Sequence, residues 1–353
     1  MTYLEYIEYF IDNESNSVKA FTLFVVFSVG ISIGSFVQAC LYRIPRDIGL
    51  VFPPSKCPNC FNYLKWYQNV PIIGWLCQAG KCIQCKNKIA IRYLLAEILF
   101  GVIAVLLFVF LVIEHHSYSL YFFTLFLFSW MYMFALIDAE HGILPDALTL
   151  IPLAVCFVID LLSISEGNEQ LKTIEVLVPF LFIIFIPGIF KRSFIKLIGI
   201  SIGYSYEERI QSYFKWNTEK LITPYNLIVS SFILFIFLIY QIQFPSKVID
   251  SMLAFLFVWA LLSFVGWLAG KIAKKDALGE GDIKCLACIG YFFGLYDVLF
   301  VLIVMSMLSA IVGIALYFIK GKTMMRLGPY IAIAVLIIHA LNIWFPLLVD
   351  LKI

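Results

Sequence analysis

Apolar residues run along the chain in blocks too long and too unbroken to be the buried faces of a soluble fold. A helix needs roughly 20 residues to cross the hydrocarbon core of a bilayer. Charge-free or nearly charge-free stretches of that order cover 20–42, 93–113, 117–137, 147–159, 173–190, 221–246, 251–270, 283–296, 298–319 and 327–349. The pattern predicts an all-α polytopic membrane protein with about ten transmembrane helices. Two blocks are short: 147–159 reaches Ser165 only if Asp160 is tolerated, and 283–296 contains Lys284. A short helix can still stand inside a bundle, where neighbours cover its ends.

Composition narrows the class. In a chain of 353 residues, 62% are hydrophobic and 14% charged, with a mean hydropathy of +0.96. That balance excludes a soluble globular domain and makes membrane lipid the surrounding partner. The net charge of +2 gives no field for nucleic acid, and none is expected as a partner. The region from Met1 to Lys19 is acidic and amphipathic, so the first span reads as a retained anchor rather than a cleavable signal. No internal repeat or low-complexity tract stands out.

Basic residues set the orientation, because short loops rich in Lys and Arg stay on the cytoplasmic side. The loop after the first span holds Arg43, Arg46, Lys56, Lys65, Lys81, Lys86, Lys88 and Arg92. It is therefore read as cytoplasmic, and the N-terminus, with Glu5, Glu8, Asp12 and Glu14, as outside. Alternation then puts the turn at Asp297 outside, and brings Asp138, 191–220, 271–282 and 320–326 to the cytoplasmic face. The expected organisation is an anchor segment at 1–42 and a small cytoplasmic domain at 43–92. Helices follow at 93–159 and, after a further stretch at 160–250, again at 251–353.

The cytoplasmic loop contains Cys57-Pro58-Asn59-Cys60 and Cys82-Ile83-Gln84-Cys85, with 21 residues between the pairs. Each CxxC turn can aim two thiolates at one centre, so Cys57, Cys60, Cys82 and Cys85 predict a tetrahedral zinc site. Four thiolates leave no open position for water, which makes the zinc structural. A loop of this size has little apolar core, and a metal would substitute for one. Cys285 and Cys288 repeat the spacing inside an apolar span without a partner pair, and read as buried small hydrophobes, as do Cys40 and Cys156.

Two acidic strings remain, Asp138 to Asp146 and Gly279-Glu280-Gly281-Asp282. An Asp at the end of a membrane helix can be a boundary residue, an ion-pathway ligand or a proton-transfer group. Asp282 follows two glycines and opens a helix, whose N-terminal partial charge favours an ionised carboxylate. Asp138 closes a long aromatic-rich helix. If the two meet, one should hold a proton the other has lost, as an aspartic protease requires. Residue pattern alone leaves this open against a cation or proton transporter with a zinc-binding loop.

The chain resembles the type IV prepilin leader peptidases, membrane aspartic proteases of the GxGD class that also N-methylate the new terminus. The resemblance is carried by Gly34-Ser35-Phe36, Arg43-Ile44-Pro45, the two CxxC pairs, Asn69-Val70-Pro71-Ile72 and Gly80-Lys81-Cys82. It continues through Ile91-Arg92-Tyr93, Glu97, Leu136-Ile137-Asp138, Leu144-Pro145-Asp146, Gly279-Glu280-Gly281-Asp282-Ile283-Lys284 and Gly328-Pro329-Tyr330.

The resemblance implies catalytic roles for Asp138 and Asp282, with Asp146 supporting the site, and a metal-binding role for the four cysteines in the methyltransferase half. Gly279 and Gly281, around Glu280, would let the scissile bond be presented in extended form. Arg43, Glu97 and Lys284 are polar partners of a buried site or charges at the headgroups. The implied methyl donor is S-adenosylmethionine, with no GxGxxG loop to hold it. The implied substrates are prepilins or pseudopilins, and the implied location is the bacterial inner membrane.

Two departures stand out. The stretch 160–250 exceeds what the family carries, and Arg326-Leu327 replaces the usual Pro-Phe before Gly328. A protease that has lost methylation is a further alternative, against which the intact cysteines argue.

Overall fold

Five helices are long and apolar enough to cross a membrane among the described residues, joined by a sixth, shorter apolar helix. The structure is a computed structural model. It describes residues 16–46, 48–50, 54–114, 117–142, 144–146, 148–149, 152–153, 247–273, 278–320 and 325–344. The expected spans at 173–190 and 221–246, nearly all of 147–159 and of the 160–250 stretch, and Cys156 lie outside the described residues.

The elements are α1 (Asn16–Arg43), the short α2 (Ile73–Cys77), α3 (Arg92–Leu107), α4 (Tyr118–His141), α5 (Lys247–Ala273), α6 (Glu280–Lys320) and α7 (Gly328–Trp344). α3 continues as a π-helical stretch over Phe108–Glu114. Single-turn 3-10 helices occupy Ile44–Arg46 and Trp66–Asn69. No strand forms among the described residues; the β pairing there is two isolated bridges, Lys56 with Tyr63 and Lys81 with Lys88. The chain divides into two compact units, Met1–Leu136 and Ile137–Ile353.

In the first unit α1 packs on α3. Gly30 and Gly34, one helical turn apart, permit it: a Cβ on Gly30 would stand 2.6 Å from Ala104 Cβ, and one on Gly34 2.9 Å from Phe100 Cβ. Without lipid-excluding hydrophobic force between spans, such small residues let backbones close to van der Waals contact. Phe100, fully buried, meets Phe128 and Tyr132 of α4 edge-on, each at 5.2 Å between ring centroids.

In the second unit α5 and α7 both pack on α6. All nine positions from Ile283 to Tyr291 are buried, so the first half of α6 is surrounded on every side. This is how a short span tolerates Lys284: neighbours, not lipid, enclose it.

The two expected spans 283–296 and 298–319 follow each other in α6 across a kink at Gly294 (φ 83, ψ 175). The break therefore falls three residues before the expected turn at Asp297. Asp297 is buried and accepts a hydrogen bond from Asn342 Nδ2 of α7 at 3.0 Å. Gly294 takes the left-handed φ that Asp297 would adopt only at a cost.

Candidate active site and metal centre

The cysteine-bearing loop of the first unit is built from two matching turns. Lys-Cys-x-x-Cys-x-Asn recurs at 56–62 and 81–87, a short repeat that reading for longer repeats passes over. In each turn the first Cys N–H donates to the Asn carbonyl, at 3.0 Å for Cys57 and 2.9 Å for Cys82. The residue after the second Cys, Phe61 or Lys86, takes a positive φ (57 and 59) and donates back to the first Cys carbonyl at 2.9 Å in both.

The two turns bring the four Sγ atoms within 4.8 Å of one another. Cys57 and Cys85 are 3.8 Å apart, and Cys60 and Cys82 4.0 Å. A tetrahedral ion at a metal–sulfur distance of about 2.3 Å needs sulfur–sulfur edges of about 3.8 Å, so the set fits one ion. Backbone N–H groups of Cys85 and Gln84 favour the Cys82 thiolate and lower its pKa to about 6, which presents a ready ligand.

Two charged residues named from the sequence hold this loop. Arg43, buried at the end of α1, donates through Nη1 to the carbonyls of Gly49 (2.9 Å) and Leu50 (2.8 Å). Glu97, buried in α3, accepts the Ile72 backbone N–H at 2.6 Å and the Ser35 hydroxyl. Ile72 has φ 61, a strained conformation for a β-branched residue, and the carboxylate fixes it there. Both side chains thus turn inward, away from the headgroup position weighed for them.

The second unit holds the acidic residues. Asp138 lies in the last turn of α4 and is buried. Its Oδ2 accepts the backbone N–H of Gly328, the first residue of α7, at 2.9 Å. The N-terminal amides of a helix have no intrahelical acceptor, and Asp138 supplies one from another helix. Pro329, next in α7, has no N–H to satisfy and suits the first turn.

Asp282 lies in the first turn of α6, where a carboxylate complements the helix dipole. Its Oδ1 is buried without a hydrogen-bond partner among the described residues. Asp138 and Asp282 are close enough to act on each other electrostatically.

Gly281 faces Leu144: a Cβ there would stand 2.5 Å from Leu144 Cβ. The space beside this glycine is therefore taken by the protein's own Leu144 side chain. At Gly279 a Cβ would stand 2.9 Å from Asp282 Oδ2. Lys284 Nζ, one helical turn beyond Glu280, lies 2.7 Å from Glu280 Oε1 and 2.9 Å from Asp146 Oδ1. The Asp146 carbonyl in turn accepts the Thr149 N–H and hydroxyl at 3.1 and 3.0 Å. Cys285 and Cys288 are fully buried, and Cys288 Sγ contacts the Thr149 carbonyl at 3.6 Å. Gly328 is the site residue that residue-by-residue reading did not single out. Its signal was the Gly-Pro pair at a helix start.

Five helices among the described residues, long and apolar enough to cross a membrane, with Asp138 and Asp282 at two helix ends, define a polytopic helical membrane protein. Residues 28–111 match the Bacterial Peptidase A24 N-terminal domain, and residues 218–314 match the Type IV leader peptidase family. A prepilin leader peptidase/N-methyltransferase of Myxococcus xanthus is 26% identical over 297 residues, covering 84% of this chain and 64% of the relative. Relatives of the same name in Dichelobacter nodosus (24% over 340 residues) and Pseudomonas putida (22% over 331) match 88% and 87% of this chain. They are covered over 89% and 86% of their own length. No solved structure matches. The chain is thus similar to the type IV leader peptidases along most of its length.

Proposed function

We propose that the chain is a membrane aspartic endopeptidase that removes the leader from type IV prepilins or pseudopilins at the cytoplasmic face of the bacterial inner membrane. It then methylates the new N-terminus. What supports this reading is that buried Asp138 at the end of α4 and Asp282 at the start of α6 lie in one compact unit and act on each other electrostatically. The names of the relatives supply the substrate and the second activity.

Asp138 and Asp282 work as a pair. One carboxylate takes a proton from water as the oxygen attacks the scissile carbonyl carbon. The other protonates the carbonyl oxygen, and a proton then passes to the leaving amine. The buried Oδ1 of Asp282, without a hydrogen-bond partner among the described residues, would accept a hydrogen bond from that water. Lys284, Asp146 and Glu280 support the pair from beside Asp282, and Gly279 and Gly281 leave room there that a side chain would take from Asp282 and Leu144. The substrate's apolar helix lies in the membrane and its basic leader projects into the cytoplasm, so the bond to be cut arrives at the helix ends.

Zinc fits Cys57, Cys60, Cys82 and Cys85 and ties the cytoplasmic loop together. S-adenosylmethionine supplies the methyl group for the exposed amine; no residue of the chain is assigned to it. The topology is about ten spans with the N-terminus outside, and the 160–250 stretch, added in paired spans, preserves the sidedness of Asp282.

The test is incubation of the purified protein with a prepilin and a labelled methyl donor, with leader loss and methyl incorporation followed separately. Asp138→Asn and Asp282→Asn should abolish leader loss in a folded protein. Cleavage retained by purified Asp282→Asn would sink the paired mechanism. Ion flux into liposomes that depends on both carboxylates, without cleavage, would favour transport instead.

A further inference from the structure

Arg326 stands two residues before Gly328, and both reach the same helix end. Its Nη1 donates to the carbonyl oxygen of Asp138 at 3.0 Å and to that of Ala139. Its guanidinium lies across Gly142, where a Cβ would stand 3.4 Å from Cζ, Nε and Nη2. Gly142, at φ +64, folds its own N–H back onto the Asp138 carbonyl at 2.8 Å.

The last four carbonyls of a helix have no intrahelical donor and carry a partial negative charge. A guanidinium nitrogen carries two N–H donors and a permanent positive charge, so Nη1 alone can meet two of them at once. The end of α4 is thus closed from outside by Arg326 and from within by Gly142.

We propose that Arg326 is a positioning residue for leader cleavage: by capping the C-terminal end of α4 it holds the Asp138 carboxylate in register with the Gly328 amide. The inference rests on Asp138 being one of the cleaving pair. Residues 326–328 grip α4 twice, Arg326 on its main chain and Gly328 on its carboxylate. A loop held at both points cannot slide relative to the helix end without breaking one contact. Because Arg326 acts on the helix end and not on the substrate, its loss falls on kcat rather than on KM.

The test uses the full chain in lipid nanodiscs with a prepilin substrate, with kcat and KM measured separately for Arg326→Lys, Arg326→Gln and Arg326→Met. The Met variant should lower kcat about tenfold with KM unchanged, since a charged helix cap is removed. The Lys variant, which keeps charge and donors, should stay within about threefold of the parent, and the Gln variant should fall between them. An unchanged kcat in Arg326→Met overturns the proposal, as does a Lys variant as slow as Met, or a loss confined to KM. Should Arg326→Met fail to fold, as judged by its thermal melting, the remaining pair decides: kcat lower in Gln than in Lys supports the cap, and equal values overturn it. Asp138→Asn is assayed alongside. If it cleaves, the paired-acid reading fails; if it is inactive while Arg326→Met matches the parent, only the present inference fails.

Discussion

Gly328 donates its backbone N–H to Asp138 Oδ2 across 2.9 Å, so the first amide of α7 is satisfied by a carboxylate at the last turn of α4. The contact needs the absence of a side chain. A Cβ at Gly328 would stand 2.6 Å from Asp138 Cβ and 2.8 Å from its Oδ2, closer than real Cβ contacts.

Gly328→Ala should therefore push Asp138 out of place. A misplacement on the order of 1 Å at a reacting group costs about 100-fold in rate, and single-turnover leader cleavage should fall by at least that. Activity within about threefold of the parent would show that Asp138 does not depend on this amide.

Lys284→Met should destabilise the second unit. It leaves Asp146 and Glu280 facing each other without the ammonium that lies 2.9 and 2.7 Å from them. Removing one member of a largely buried ion pair costs about 3 kcal/mol, less here because Glu280 is partly exposed. Denaturation in detergent should register the loss, and Lys284→Met with Asp146→Asn should recover part of it. No difference between the single and double variants would uncouple the pair.

Cys60→Ser combined with Cys85→Ser should empty the cysteine cluster. Elemental analysis of the parent should give about one zinc per chain, and of the double variant close to none. Chelation of the parent should expose 54–90 to limited proteolysis, because its own regular structure is limited to two isolated bridges, one 3-10 turn and the short α2. Metal content unaffected by the substitutions would rule out these thiolates as the ligands.

Glu97→Ala should loosen the same loop by another route. It strips the acceptor from the Ile72 N–H, a part-buried bond of 2.6 Å, at a cost of about 1 kcal/mol. Hydrogen exchange at 70–74 should speed up, while Glu97→Gln, which keeps an acceptor oxygen, should change it little. Equal exchange in Ala and Gln variants would assign the rigidity of Ile72 to other contacts.

Much of the architecture is legible in the sequence because lipid imposes it. Every polar backbone group in a span must be satisfied within its helix, so an uncharged run of sufficient length announces α1, α3, α4 and α5 without knowledge of any contact. The break in α6 is less legible, since Gly294 and Asp297 both interrupt the apolar pattern. The choice between them depended on Asn342, 45 residues further on, which gives Asp297 a buried partner. Arg43 and Glu97 could be read as headgroup charges because their acceptors and donors are main-chain atoms of the loop, which no residue type announces.

The sequence by itself determined that this is a helical membrane protein, which side chains have metal-ligand chemistry, and which carboxylates stand at the ends of apolar spans. Those properties are local: they depend on run length, on spacing within a turn and on the cost of placing charge near lipid. The tertiary structure alone decided that four sulfurs converge to the edges of one tetrahedron. It alone decided that Lys284 lies between Asp146 and Glu280, and that Arg326 and Gly328 close upon Asp138. Each of these joins residues distant along the chain through a few ångströms of space, and such distances are set by packing rather than by pattern.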